Sequence, residues 1–176
     1  MFQSYLYSQR KNEKKSESCL NHAYNLINKD DEEFILLYYF YKITHLVEFK
    51  HLKDAEEYLL EVFDLQTVSF KYKRYQLKFK ILLAKLFILK NSVQHAEKVL
   101  EEVIEASSDY LLIQQEAYSL FWKLLEGRRP SILKKILLKQ IADIEEKIKD
   151  DLLISVYRES NEVTYLLSEI INENKW

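Results

Sequence analysis

One glycine and one proline occur in 176 residues, and no other feature narrows the folding options as sharply. Sheets need tight hairpin turns and phosphate-cradling loops need backbone at positive φ, and both draw heavily on glycine. Helices need neither, so the expected class is all-α. The two residues stand together in Gly127-Arg128-Arg129-Pro130, glycine past one helix end and proline at the next helix start, where each is favoured. This is the sharpest boundary in the chain. It is expected to separate a helical-repeat region with an N-terminal capping helix (1–127) from a C-terminal helical hairpin (128–176), packed on it as a cap within a single domain.

Hydrophobic residues supply 48% and charged residues 31% of the chain, enough apolar surface for a core and too much for a disordered segment. No apolar run reaches the roughly 18 residues of a membrane span, and Met1-Phe2-Gln3-Ser4-Tyr5 lacks the basic-then-apolar order of a leader. Cys19 is the single cysteine, which suits a reducing compartment and a packing role. A cytoplasmic location without membrane contact is therefore expected. The abundance of Lys, Ile, Asn, Tyr and Phe suits the AT-rich genome of a bacterium or its phage. A net charge of −2 argues against a dedicated nucleic-acid binder, whose domain is usually basic.

Helix signals recur along the chain. Asp30 with Glu33 has capping-box spacing ahead of a helix from Phe34 to Glu48. Further helices are expected over Leu52–Leu65, Lys71–Lys90, from Asn91-Ser92 to Ala106, and from Ser107-Ser108-Asp109 to Glu126. Leu133, Leu137, Ile141, Ile144 and Ile148 mark another, and Leu153, Val156, Val163, Leu167 and Ile170 one more. An N-terminal helix is also expected around Ser18–Ile27, after a polar basic segment, and the stack as a whole is expected to hold about seven helices. Leu52, Ala55, Leu59 and Val62 match Val93, Ala96, Leu100 and Val103 at a separation of 41 residues. Each match follows a longer apolar helix, so the repeating unit is a helix-turn-helix.

Leu83-Ala84, Phe87, Ala96, Leu100, Val103 and Ser108 resemble the tetratricopeptide repeat, with a small residue where two helices cross. The first unit keeps Ala55, Leu59 and Val62 but has Ile43 at a small-residue position, and the spacing exceeds the usual length of about 34 residues. The resemblance covers Asp31 to Glu126. It implies a right-handed stack of antiparallel helical hairpins, a TPR-like α-solenoid, acting through protein–protein interaction. The Leu36-Leu37-Tyr38-Tyr39 run is also similar to the Rap-type peptide-regulated proteins of low-GC bacteria. Their phosphatase residues have no counterpart that can be placed here, so no activity is carried over.

The first helix of a pair usually lines the concave side of such repeats. On that basis Tyr38, Tyr41, His45, Lys71, Arg74, Tyr75 and Lys78 are expected to form a basic, aromatic groove. Such a groove suits a protein or peptide partner with an acidic segment, and so a regulatory or adaptor role. An alternative is nucleic-acid binding through Lys71–Lys80, where basic and aromatic residues alternate. The C-terminal hairpin offers a heptad-like stripe for a homodimer.

No enzyme motif is recognisable and no cofactor or metal is expected. Glu48-Phe49-Lys50-His51 has a di-iron ligand spacing, but no second copy accompanies it. His45 and His51 are spaced too far to share a face as His-Glu-x-x-His ligands do.

Overall fold

The computed structural model describes residues 1–28, 30–64, 72–125, 131–148, 150–159 and 161–172, without the side chains of 161–162 and 170–172. Among these residues there is no strand, and ten helices follow one another. They are α1 (Phe2–Gln9), α2 (Glu13–Leu26), α3 (Glu32–Glu48), α4 (Leu52–Asp64), α5 (Lys73–Leu89), α6 (Val93–Ala106), α7 (Leu111–Leu124), α8 (Ser131–Lys147), α9 (Asp151–Arg158) and α10 (Asn161–Asn172). The Gly127–Pro130 boundary lies outside the described residues. None of the described helices is long and apolar enough to cross a membrane.

The expected count of about seven helices is corrected to ten. Two differences stand out. The N-terminal stretch, read as one helix after a polar segment, forms two. The stretch from Leu153 to Ile170 is divided between α9, which ends at Arg158, and α10, which begins at Asn161. The α3 cap also shifts by one residue: the Asp31 carboxylate, not that of Asp30, accepts from the Phe34 N–H at 3.2 Å.

The chain divides into two compact units, Met1–Val99 and Leu100–Trp176, with the boundary inside α6. In the first unit α1 packs on α2 and α3, α2 on α3, α3 on α4 and α5, and α4 on α5. The first helices of successive pairs are thus neighbours, and α3 is covered by four others. Its core joins Leu36, Ile43, Leu46 and Val47 of α3 to Ala55, Leu59 and Val62 of α4 and Phe79, Leu82 and Leu86 of α5. In the second unit Trp122 of α7, Leu133 and Leu137 of α8 and Leu166 of α10 form a cluster, with Tyr118, Phe121, Leu125 and Tyr165 packed around it.

Three turns, α1–α2, α3–α4 and α5–α6, are built alike. Lys11, Lys50 and Asn91 take left-handed φ values of 54°, 63° and 57°. The next residue's N–H returns to a carbonyl five residues back: Asn12 to Tyr7 at 2.9 Å, His51 to Leu46 at 2.8 Å, Ser92 to Phe87 at 2.8 Å. The left-handed residue itself donates to Ser8, Val47 or Ile88. This is the Schellman ending, made here without its usual glycine.

Four residues past each turn come Ser16, Ala55 and Ala96, all fully buried. Leu20, Leu59 and Leu100 follow at the next turn of helix, again buried. On the preceding helices Ser4, Ile43 and Ala84 occupy matching buried positions. The repeat therefore has a third, N-terminal member, hidden in the sequence because serine replaces alanine at the crossing.

Lys50→Gly relieves the left-handed Cβ clash and is expected to stabilise the protein by about 1 kcal/mol, whereas Leu59→Ala costs about 2–5 kcal/mol. Urea denaturation measures both. A destabilising Lys50→Gly would contradict the turn geometry.

Candidate partner-binding face

The α5 helix buries two faces. Phe79, Leu82 and Leu86 join the core shared with α3 and α4, while Leu77, Ile81 and Ala84 are buried on the other side. Arg74, Lys78 and Lys85 lie at helical spacing along one seam between those faces, with Arg74 exposed and both lysines half-buried. A helix held on both sides leaves only its seams for polar contacts.

From that seam the Lys78 ammonium reaches over the Phe40 ring of α3, 4.8 Å from its centroid. Phe40 meets Tyr41 edge-on at 5.5 Å, Tyr41 meets Tyr5 of α1 at 6.3 Å, and Tyr5 stacks near Phe2 at 6.5 Å. A row of rings therefore crosses from α1 through α3 and ends at a cation on α5. Phe2 is 63% and Tyr5 37% exposed, so the α1 end is open to solvent. Tyr75 stands edge-on to Tyr72 at 6.4 Å. Its phenol is pushed up, by burial first and then by Glu33, while Arg74 pulls it down.

Tyr41, Arg74, Tyr75 and Lys78 are thus brought together. Lys71 lies outside the described residues. Tyr38 and His45 are placed elsewhere on α3. Tyr38 is only 8% exposed and packs on Tyr24 at 5.1 Å and Tyr39 at 5.9 Å. Tyr39 continues to Tyr58 at 6.1 Å and donates its hydroxyl to Glu61 at 2.6 Å. Beside this cluster is a cleft of about 440 Å³ lined by Lys42, Leu46, Asp54, Glu57, Tyr58 and Glu61. Burial, then the Tyr58 and Tyr24 phenols, push Tyr38 up to about 12. Burial and the Glu61 hydrogen bond hold Tyr39 far above the ordinary phenol range.

His45 is 3% exposed. Its Nδ1 lies 2.8 Å from the Ser16 hydroxyl, which lies 2.8 Å from that of Ser8. Burial first, then Lys42, holds its pKa below the ordinary histidine value.

Other sequence motifs find structural partners. Glu48 accepts from Lys11 at 2.9 Å and His51 pairs with Glu13 at 2.6 Å, so the Glu-x-x-His spacing ties the first helix pair to the second. No group of three or more His, Cys, Asp or Glu that could hold a metal exists among the described residues. Within the basic-aromatic segment, Phe79 is fully buried, and Tyr72 and Tyr75 pack against the core, so its rings are not splayed for base stacking. The α8 stripe Leu133, Leu137, Ile141 and Ile144 is buried, whereas Leu153 and Val156 of α9 are more than half exposed.

Phe2, Tyr5 and Phe40 extend the face beyond the residues expected from sequence. Phe2 and Tyr5 lie on α1, which the third repeat member, hidden in the sequence, puts beside α3. Comparison with protein-family models, with curated proteins and with solved structures returns no match.

Because the Tyr38 phenol ionises near 10 when unfolded and at about 12 when folded, the unfolded chain loses its proton first. Stability is therefore expected to fall as pH rises from about 10 to about 12, and Tyr38→Phe should show a shallower fall. Urea denaturation at pH 9 and 11.5 checks this. An equal fall in the variant would contradict it.

Proposed function

We propose that this chain is a non-enzymatic protein- or peptide-binding module of the TPR-like α-solenoid type. It takes an extended acidic segment on the face shared by α1, α3 and α5, and serves as a regulatory or adaptor protein. The observation that carries this reading is the row Phe2, Tyr5, Tyr41 and Phe40 ending at Lys78. Rings give area at low entropic cost, and tyrosine hydroxyls add hydrogen bonds, which is why such residues are enriched at interfaces. Arg74 beside them offers a planar fork for a carboxylate.

Charge favours an acidic partner. The α5 helix carries Lys73, Arg74, Lys78, Lys80 and Lys85 and no acid, so basic charge dominates the seam, with Glu33 of α3 a like charge near Tyr75. Three neighbouring helices about 10 Å apart span about 20 Å, the reach of about six extended residues. An open face of that length suits a chain segment more than a small molecule, which prefers an enclosing cavity.

The test uses a fluorescent peptide of about eight residues alternating Glu and Tyr, with a Lys/Tyr peptide as control. Anisotropy is expected to show binding of the acidic probe only. Arg74→Glu/Lys78→Glu should weaken it at least about tenfold, since a charge-assisted hydrogen bond contributes about 1.5–3 kcal/mol, with helicity unchanged. Equal affinity in the double variant would remove this face from consideration.

A further inference from the structure

Within the first unit, the joint between the α1–α2 hairpin and α3 is built differently from the joint among α3, α4 and α5. The buried core of the latter is a cluster of ten apolar side chains, with its polar contacts, Tyr39–Glu61 and Lys90–Glu56, at the rim. The buried residues of α1 are Ser4 and Ser8, and those of α2 are Ser16 and Leu20. Leu20 is therefore the one large apolar side chain that the hairpin buries fully among its described residues. Two ring pairs, Tyr24–Tyr38 and Tyr5–Tyr41, and a set of polar contacts take the place of a fully buried apolar core. Ser8, Ser16 and His45 form a buried chain with both links at 2.8 Å, and Lys11–Glu48 and His51–Glu13 close its rim. By position in the repeat, Ser16 stands where Ala55 and Ala96 stand, and His45 where Leu86 stands. Segments with little buried apolar surface open at low free energy.

We propose that the α1–α2 hairpin is a detachable cap, docked on α3 through the buried Ser8–Ser16–His45 chain and released by mild acid, and that its release withdraws Phe2 and Tyr5 from the binding face. The first part stands on the joint alone. The consequence for binding rests on the face described above.

The sign follows from the groups around His45. Lys42 on α3 and His51 past its end oppose protonation, Glu13 and Glu17 on α2 favour it, and burial outweighs them, so the docked ring is held neutral. Released, the ring meets water and regains its ordinary affinity for a proton. Docking is therefore complete above the ordinary histidine pKa of about 6.5 and weakens as pH falls below it.

Hydrogen exchange of the full chain at pH 7.5 and 5.5, each corrected for intrinsic rates, tests this. Protection across Phe2–Leu26 should drop at the lower pH, by at most about tenfold for one histidine of ordinary pKa about 6.5, while α3, α4 and α5 keep theirs. The variant Ser16→Ala/His45→Leu copies the residues of the apolar joint and should hold protection at both pH values. Unchanged protection of α1 and α2 in the wild type would overturn the proposal. So would loss shared equally by α3 to α5, or a folded variant as acid-sensitive as the wild type. If the variant does not fold, the wild-type comparison decides alone. Anisotropy with the Glu/Tyr probe at both pH values separates the two parts: release without any change in affinity leaves the cap standing and removes α1 from the face.

Discussion

The close crossing of paired helices at one small buried side chain is the constraint on which the first unit depends. A left-handed residue ends each first helix, and four residues past the turn Ser16, Ala55 or Ala96 lets the second helix approach. Larger side chains at those positions would wedge the pairs apart, because interiors packed to crystal density absorb added volume poorly. The repeated turn brings α1, α3 and α5 side by side, and a surface lined by three first helices follows from that. The seam of α5 and the rings of α1 and α3 meet only because the same turn is made three times.

The successive joints differ in the currency that holds them. Phe79, Leu82 and Leu86 tie α5 to α3 and α4 by apolar burial, which is insensitive to pH and strengthens cooperativity with the core. Serines, a histidine, two ion pairs and the ring pairs Tyr24–Tyr38 and Tyr5–Tyr41 tie α1 and α2 to α3. Hydrogen bonds of that kind contribute about 0.5–1.5 kcal/mol each, and exposed ion pairs about 0–1. The first unit therefore has a firm interior and a lightly held N-terminal edge, and the edge is where the exposed rings Phe2 and Tyr5 sit. Elsewhere, opposite charges on neighbouring helices do the same modest work, as where Lys90 donates to Glu56 at 2.6 Å.

Much of this was legible in the residues. Scarcity of glycine and proline, apolar periodicity and the Ala55/Ala96 match were sufficient for the helical class and for the five helices α3 to α7. The third repeat member was not, because its crossing residue is serine and α1 is too polar to show an apolar stripe. Tyr41, Arg74, Tyr75 and Lys78 were expected together from the rule that first helices line one side of a repeat stack. The burial of Tyr38 and His45 was not foreseen, since a stripe drawn on one helix does not say which side a neighbour covers. Tyr38 lies on the α3 side that α2 covers, and only the packing of Tyr24 against it reveals that.

The central claim is that tyrosines on the face of α1, α3 and α5 meet the partner while those of the Tyr24–Tyr38–Tyr39–Tyr58 cluster do not. The chain has 13 tyrosines, so fluorine NMR of protein labelled with 3-fluorotyrosine reads both groups in one spectrum. Titration with the Glu/Tyr peptide is predicted to move the Tyr5, Tyr41 and Tyr75 resonances together and leave the cluster in place. Movement of the cluster alone, with Tyr5, Tyr41 and Tyr75 unchanged at saturating peptide, would contradict the account.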